Sequence, residues 1–385
     1  MSTCVGVPRG AQIAIGDMLD KCAKIQAGQE VLIMAHLDGL CGGDNLVDQD
    51  AISWIQAGVS ARGAHASILW VDEPPKMHKW RFPPIAKGAI GSADVLIMNS
   101  FDIVTEENVE YRDWINSNKI RLVRNFATTA PLLCSNWAQT PYELVSEIRY
   151  QVSANFKIGL PWKMTDINGT DLEGTVAPSD NPAFPNYDVR RDIGFYNPWP
   201  EWVNPPVVLK NVNGQFNFDC MLSWWSRYID IPPSWKEPIR LTIENCEIKK
   251  IEGGEEAIAL RNFLESMKPR VGEGVYNFNT MHFGVHPQAH VSEQQCPSAL
   301  YRRVIDHCHS SNIHFHIGAP SDGNSSSDYP YWMHITGDTR NSTFIVGDKK
   351  VYDNGYLTTL DDPAVRAIEA KYPGRPGVKF CGRSY

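Results

Sequence analysis

The strongest constraint on the fold lies in the first 155 residues, where short apolar runs alternate with helical spacing. Glu30–Ala35, Ala66–Val71, Asp94–Met98 and Arg121–Asn125 read as strands, the first and third nearly all apolar. Strands that apolar must be covered on both faces. Between the first two, Val47, Ala51, Trp54, Ile55 and Val59 recur at helical spacing over residues 47–62. Strand–helix–strand alternation of this kind predicts a parallel sheet with helices on its faces. The Gly42-Gly43 pair after the first strand lacks the GxGxxG pattern, so no nucleotide site is expected there.

A last helix is expected from Pro141 to Val152, after which the texture changes. From Phe156 to Pro238 the chain is rich in Pro, Trp, Asn and Asp, which predicts short strands and ordered loops. A helix returns at Glu255–Met267, with Ala257, Leu260, Leu264 and Met267 on one face, and Ser342–Tyr356 reads as a hairpin turning at Gly347-Asp348. The expected fold is therefore α/β. An N-terminal parallel-sheet α/β domain (residues 1–155) precedes a C-terminal α+β metal-binding domain (residues 156–385).

A formal charge of −8 with no basic run argues against nucleic acid as a partner. No window approaches about 18 uninterrupted apolar residues, so no membrane partner is expected. The start of the chain lacks the basic and apolar pattern of a signal peptide. Nine scattered cysteines without a CxxC pair read as reduced thiols, and a cytoplasmic location is expected.

Eight of the eleven histidines fall between His282 and His334. Neutral imidazole is the commonest side-chain ligand for first-row metals, which gives the clustering a chemical reason. In Asn312–Gly318, His314 and His316 have the two-residue spacing that puts both rings on one face of a strand. His282 and His286 are four apart, but Gly284 and Pro287 argue against a helix between them. His334 follows a loop suited to carrying a residue back into a pocket, and Asp338 is close by. Imidazoles with one carboxylate make the ligand set of a non-haem Fe(II) triad or an open zinc site. His307 and His309 lie on an expected helix from Pro297 to Ser310 and read as surface residues, and His290 as a loop residue.

Four segments between Lys163 and Tyr356 resemble the aminopeptidase T-type metallopeptidase superfamily and, within it, the 2,5-dihydroxypyridine 5,6-dioxygenase branch. They are Met164–Leu172, His282–Pro287, Ile313–Gly318 and Tyr331–Thr336. The peptidases carry a metal-bridging glutamate at the position of His282, whereas the dioxygenases carry a histidine that binds a single Fe(II). His334 matches the histidine of an H-x-D ligand motif, but Thr336 stands where its aspartate would be. His314 matches a metal-binding histidine of the peptidases, and His316 a polar residue close to the dioxygenase metal. The resemblance thus implies His282, His314 and His334 as metal ligands, with Asp338 as the substitute carboxylate. Glu201 matches a further peptidase ligand, and a homodimer is implied.

The function expected first is a mononuclear Fe(II) dioxygenase opening a hydroxylated pyridine or related aromatic ring with O2. His316 would take a proton from the substrate hydroxyl, while Trp199, Trp202 and Tyr331 would wall a slot for the planar ring. An amide hydrolase or aminopeptidase-like enzyme using Zn, Mn or Co is the alternative. It would need the carboxylates that are missing at 282 and 336. A structural zinc protein, with Cys296 and Cys308 among the ligands, is the third reading.

Overall fold

The computed structural model describes residues 6–37, 46–72, 84–99, 115, 117–178, 197–200, 203, 206–221, 226, 229–318 and 335–379. The first sheet contains β1 (Glu30–His36), β2 (His65–Val71), β3 (Val95–Asn99) and β4 (Arg121–Asn125), all parallel. Its order is β2-β1-β3-β4, extended by β7 (Asn197–Trp199), which pairs parallel with β4. The apolar runs behave as double-sided strands require. Val31, Ile33 and Ala35 join the main core, while Leu32 and Met34 pack into a second cluster with Leu96, Met98 and Leu122.

Helix α2 (Gln49–Ser60) crosses from β1 to β2 and starts at Asp48, whose carboxylate accepts from the Ala51 amide at 2.6 Å. That side-chain acceptor satisfies one of the donors a helix start leaves open. The same carboxylate accepts from the Ala130 amide, tying α2 to the segment after β4. The expected parallel α/β architecture is present. So is the helix expected from Pro141, now α6 at Tyr142–Ser153, preceded by α1 (Arg9–Asp17), α3 (Pro84–Gly91) and the short α4 (Ala130–Leu133) and α5 (Asn136–Gln139). No helix among the described residues is long and apolar enough to cross a membrane.

The second sheet is antiparallel. From β13 (Ile335–Asp338) it runs through β12 (Ile313–Ile317), β11 (Thr280–Phe283), β8 (Val207–Cys220), β6 (Asp171–Val176) and β5 (Pro161–Thr165). The hairpin strands β14 (Thr343–Val346) and β15 (Lys349–Asp353) follow, and Val346 pairs with Lys349 across the expected Gly347-Asp348 turn. Strand β9 (Ser234–Glu244) branches off β8 and carries β10 (Glu247–Glu252). Helix α7 (Glu255–Val271) buries Ala257, Leu260, Leu264 and Met267, the face read from its spacing. All the strands of this sheet come from the described residues of 161–176 and 207–357. Asn197–Trp199 returns to the first sheet, so the polypeptide passes between the two sheets more than once.

Candidate metal centre

Strand β12 positions the site. All five of its residues are buried, which for a two-sided strand means two different surroundings. Ile313, Phe315 and Ile317 belong to the main core, where Phe315 meets Phe278 at 5.0 Å and Phe216 at 5.2 Å between ring centroids. By the same alternation His314 and His316 point to the opposite face. A run of apolar contacts therefore clamps the strand from behind and holds two imidazoles forward.

The neighbouring strands complete that face. In antiparallel pairing, residues directly opposite one another share a face. His282 of β11 lies opposite His314, and on β13 Asp338 lies opposite His314 and Thr336 opposite His316. The His282 and His314 rings stack at 5.1 Å and 9° between planes. His316 stacks on His282 at 4.6 Å and lies 5.6 Å from His314. One ring nitrogen from each of the three falls within 4.8 Å of the others. His314 and His316 are buried at 1% exposure, and His282 is half-buried, so the cluster opens at His282.

A second group forms on the other side of His314. His307, at the end of α8 (Ala299–His307), places its ring 3.7 Å from that of His314. Its Nδ1 lies 3.2 Å from an Asp338 oxygen. Asp338, itself 0% exposed, is ion-paired with Arg303 of α8 and accepts from the Asn312 Nδ2 at 3.2 Å. Burial alone would lower the Arg303 pKa, but Cys220, Asp338 and Asp306 around it move it upward. Buried charges persist only when paired in this way.

The expectation that His307 and His309 lie on the surface is incorrect: they are 1% and 0% exposed. Helix α8 ends at His307, and His309 falls in the turn beyond it, where its Nδ1 lies 2.8 Å from the Ser311 hydroxyl. His307 is buried because β13, far along the chain, brings a carboxylate against it. Helical periodicity could not show that partner. His290 is a loop residue as read, 3.4 Å from Asp306. The donor atoms of His307, His314 and Asp338 also lie within 4.8 Å of one another, and the buried Cys296 and Cys308 belong neither to that group nor to His282, His314 and His316.

Two backbone features lock the frame. The Gly284 amide donates to the Asn312 carbonyl at 2.9 Å, and its Cα faces the His309 carbonyl so closely that a Cβ would overlap it. His286 pairs with His309 as an isolated parallel bridge, and its ring accepts from the Gln288 amide at 3.2 Å. Burial, helped by nearby His309, pushes His286 down to about 3, so its ring is neutral at ordinary pH.

Of the residues read as functional, the fold brings His282, His314 and His316 together and sets Asp338 beside His314. Trp199 is buried in β7. Glu201, Trp202, Tyr331 and His334 lie outside the described residues.

The donor set fits a first-row divalent cation. Imidazole suits Fe, Zn, Cu and Ni, and donors confined to one face leave the remaining positions open. A family model described as 2,5-dihydroxypyridine 5,6-dioxygenase matches residues 154–359, more than half of the chain and the whole of this cluster. No curated protein sequence gives a match. Among solved structures, a 2,5-dihydroxypyridine dioxygenase from Pseudomonas putida KT2440 superimposes with a TM-score of 0.64 at 15% identity. The match covers 91% of this chain and 98% of that one.

Proposed function

This chain belongs to the 2,5-dihydroxypyridine 5,6-dioxygenase family, and on that premise we propose that it is a mononuclear non-haem Fe(II) enzyme opening a hydroxylated pyridine or related hydroxylated aromatic ring. The observation that carries this reading is the convergence of His282, His314 and His316 on one sheet face. His282 and His314 are the ligands from adjacent strands. His334, expected as a further ligand, and Tyr331 and Glu201, expected in the substrate pocket, complete the proposed site. The enzyme is read as a cytoplasmic homodimer.

Bound Fe(II) would supply the template on which an electron-rich hydroxylated ring and O2 meet. The chain's own contribution is positional. The rings of Phe315 and Phe283 behind the sheet face fix β12 and β11, so that the His314 and His282 nitrogens keep their separation. The half-buried edge at His282 is the side from which a planar substrate would approach, while His314 and His316 stay shielded from water. In the overall reaction one ring C–C bond breaks and both oxygen atoms enter the product, so no external reductant is consumed.

The hydrolase alternative calls for a carboxylate to act as base or to bridge two metals. Asp338 is the one carboxylate in the potential metal groups among the described residues, and it is held by Arg303. That favours the oxygenase. The test uses protein purified anaerobically, analysed for metal and supplied with hydroxypyridines and dihydroxybenzoates under 18O2. The expected result is one iron per chain, stoichiometric O2 uptake and two 18O atoms in a ring-opened product. Two zincs per chain with amide cleavage, or no O2 uptake with any ring, would sink the reading.

A further inference from the structure

We propose that the turn joining β5 to β6 forms, with Asn217 of β8, a binding site for one hard cation held by oxygen donors, Ca2+ being the best match. Its residues are Asp166, Asn168 and Asn217, none of which belongs to the histidine cluster.

The site grows out of the hydrogen bonding of residues 166–170. Asp166 Oδ1 accepts from the Asn168 and Thr170 amides, both at 2.9 Å, which commits one carboxylate oxygen to the turn itself. Its Oδ2 is buried and has no hydrogen-bond partner among the described residues. Asn217, 4% exposed, is drawn against the same turn. Its Nδ2 donates to the Asn168 carbonyl at 2.7 Å, and its main chain brackets the Thr170 hydroxyl at 3.0 and 3.1 Å. The Oδ1 beside that Nδ2 is likewise buried without a partner among the described residues. Gly169, at φ +84°, allows this approach, since a Cβ there would come within 3.2 Å of the Asn217 Nδ2.

Buried polar atoms in native folds nearly always have partners, and an orphaned one marks strain, an ordered water or an ion. Here one of two orphaned acceptors belongs to a carboxylate, and a buried charge calls for a counter-charge. Burial pushes the Asp166 carboxyl up from its ordinary value, against hydrogen bonds from Thr170, Asn168 and Arg340. A cation at Oδ2 would add the positive charge that those donors do not bring.

Asn168 separates an ion from a water. Its Nδ2 is buried without a partner. In that orientation a water could accept from it and donate to the two oxygens. No hydrogen bond among the described residues holds the carboxamide that way round, and exchanging its ends puts a third oxygen where the buried nitrogen stands. Oxygen donors suit hard cations rather than the metals that seek imidazole. A carboxylate with two carboxamides, set on an irregular turn, matches the flexible coordination of Ca2+ better than the strict octahedron of Mg2+. A single carboxylate implies weak binding, with a Kd of about 10⁻⁴–10⁻³ M. The cation would pin the β5–β6 hairpin to β8, the strand that also pairs with β11.

The test uses full-length, chelator-treated protein, titrated calorimetrically with Ca2+ and melted in Ca2+ or choline chloride at one ionic strength. Wild type should bind one Ca2+, and its Tm should rise with Ca2+ but not with choline. Asp166→Asn keeps the acceptor for the turn amides and removes the charge, so calcium affinity should fall by roughly tenfold or more. Asn168→Asp alters a side chain that makes no hydrogen bond among the described residues. It should raise calcium affinity by roughly tenfold or more, and lower the Tm in chelator, where two carboxylates repel. Should Asp166→Asn fail to fold, those opposite shifts with and without calcium still test the site. Calcium heat that is unchanged in both variants comes from the acidic surface and overturns the proposal. The absence of calcium heat in all three proteins would make the occupant a water and overturn it equally.

Discussion

His314 stands between two clusters built from nearly the same residue types. Toward β11 it meets His282 and His316, an all-imidazole group open at one edge. Toward α8 it meets His307, Asp338 and Arg303, a charged group closed to solvent. The charged group contains its own compensation, because cation and anion are both supplied by the chain. Among the described residues the group toward β11 consists of imidazoles alone, a donor type suited to receiving a cation from outside. What separates a structural polar cluster from a binding site here is whether the charges cancel before any ligand arrives.

The comparison predicts its largest effect at Asp338. Replacing it by alanine strips the buried Arg303 guanidinium of its nearest counter-charge, leaving Asp306 at 3.9 Å, and metal-free protein should lose about 3 kcal/mol in urea unfolding. A loss near zero would mean that the α8 cluster is not the structural member of the pair. The next effect lies on the open side. Saturating wild type with Co(II) at a hundred times its Kd should add about 2.7 kcal/mol of stability. His282→Ala should lose that increment while its metal-free form stays within about 1 kcal/mol of wild type. Equal losses with and without metal would erase the distinction between the clusters.

The smallest effect concerns His286, which belongs to neither group. Its folded-state pKa, about 3, lies below the unfolded value near 6.5 because burial opposes its charge. Between those values the unfolded chain binds a proton that the folded one refuses. Its contribution is complete above pH 6.5 and declines as pH falls, by at most about 1.4 kcal/mol per pH unit. Unfolding curves at pH 7, 6 and 5 should show that slope, and His286→Gln should flatten it. An unchanged slope in the variant would assign the acid sensitivity to other groups.

The sequence revealed those features whose cause is local. Apolar runs located β1 and β3, the Gly347-Asp348 turn located the hairpin, and the His314-Phe315-His316 alternation placed two imidazoles on one face. Features that depend on distant partners were not legible. His307 and Asp338 are 31 residues apart, and neither position announces the other. Asn197–Trp199 contributes only three residues, one of them proline, to the first sheet, too few for any periodicity. The proton-transfer role expected of His316 rests on a spacing that shows which face a residue occupies but not which rings crowd against it. The stacking of His282 on His316 emerges only when β11 is laid beside β12.

Where Gly284 meets the turn after α8, main chain lies directly on main chain with no room for a methyl group. A seam of that kind has no side chain to repack, so the spacing between the strand carrying His282 and the helix carrying His307 does not vary with the residues around it. Chemistry at positions 282, 314 and 316 can then be exchanged as if on a fixed rack. On the proposed metal-centre reading, altering the donors would retune which cation is preferred, whereas enlarging the glycine would shift every donor at once.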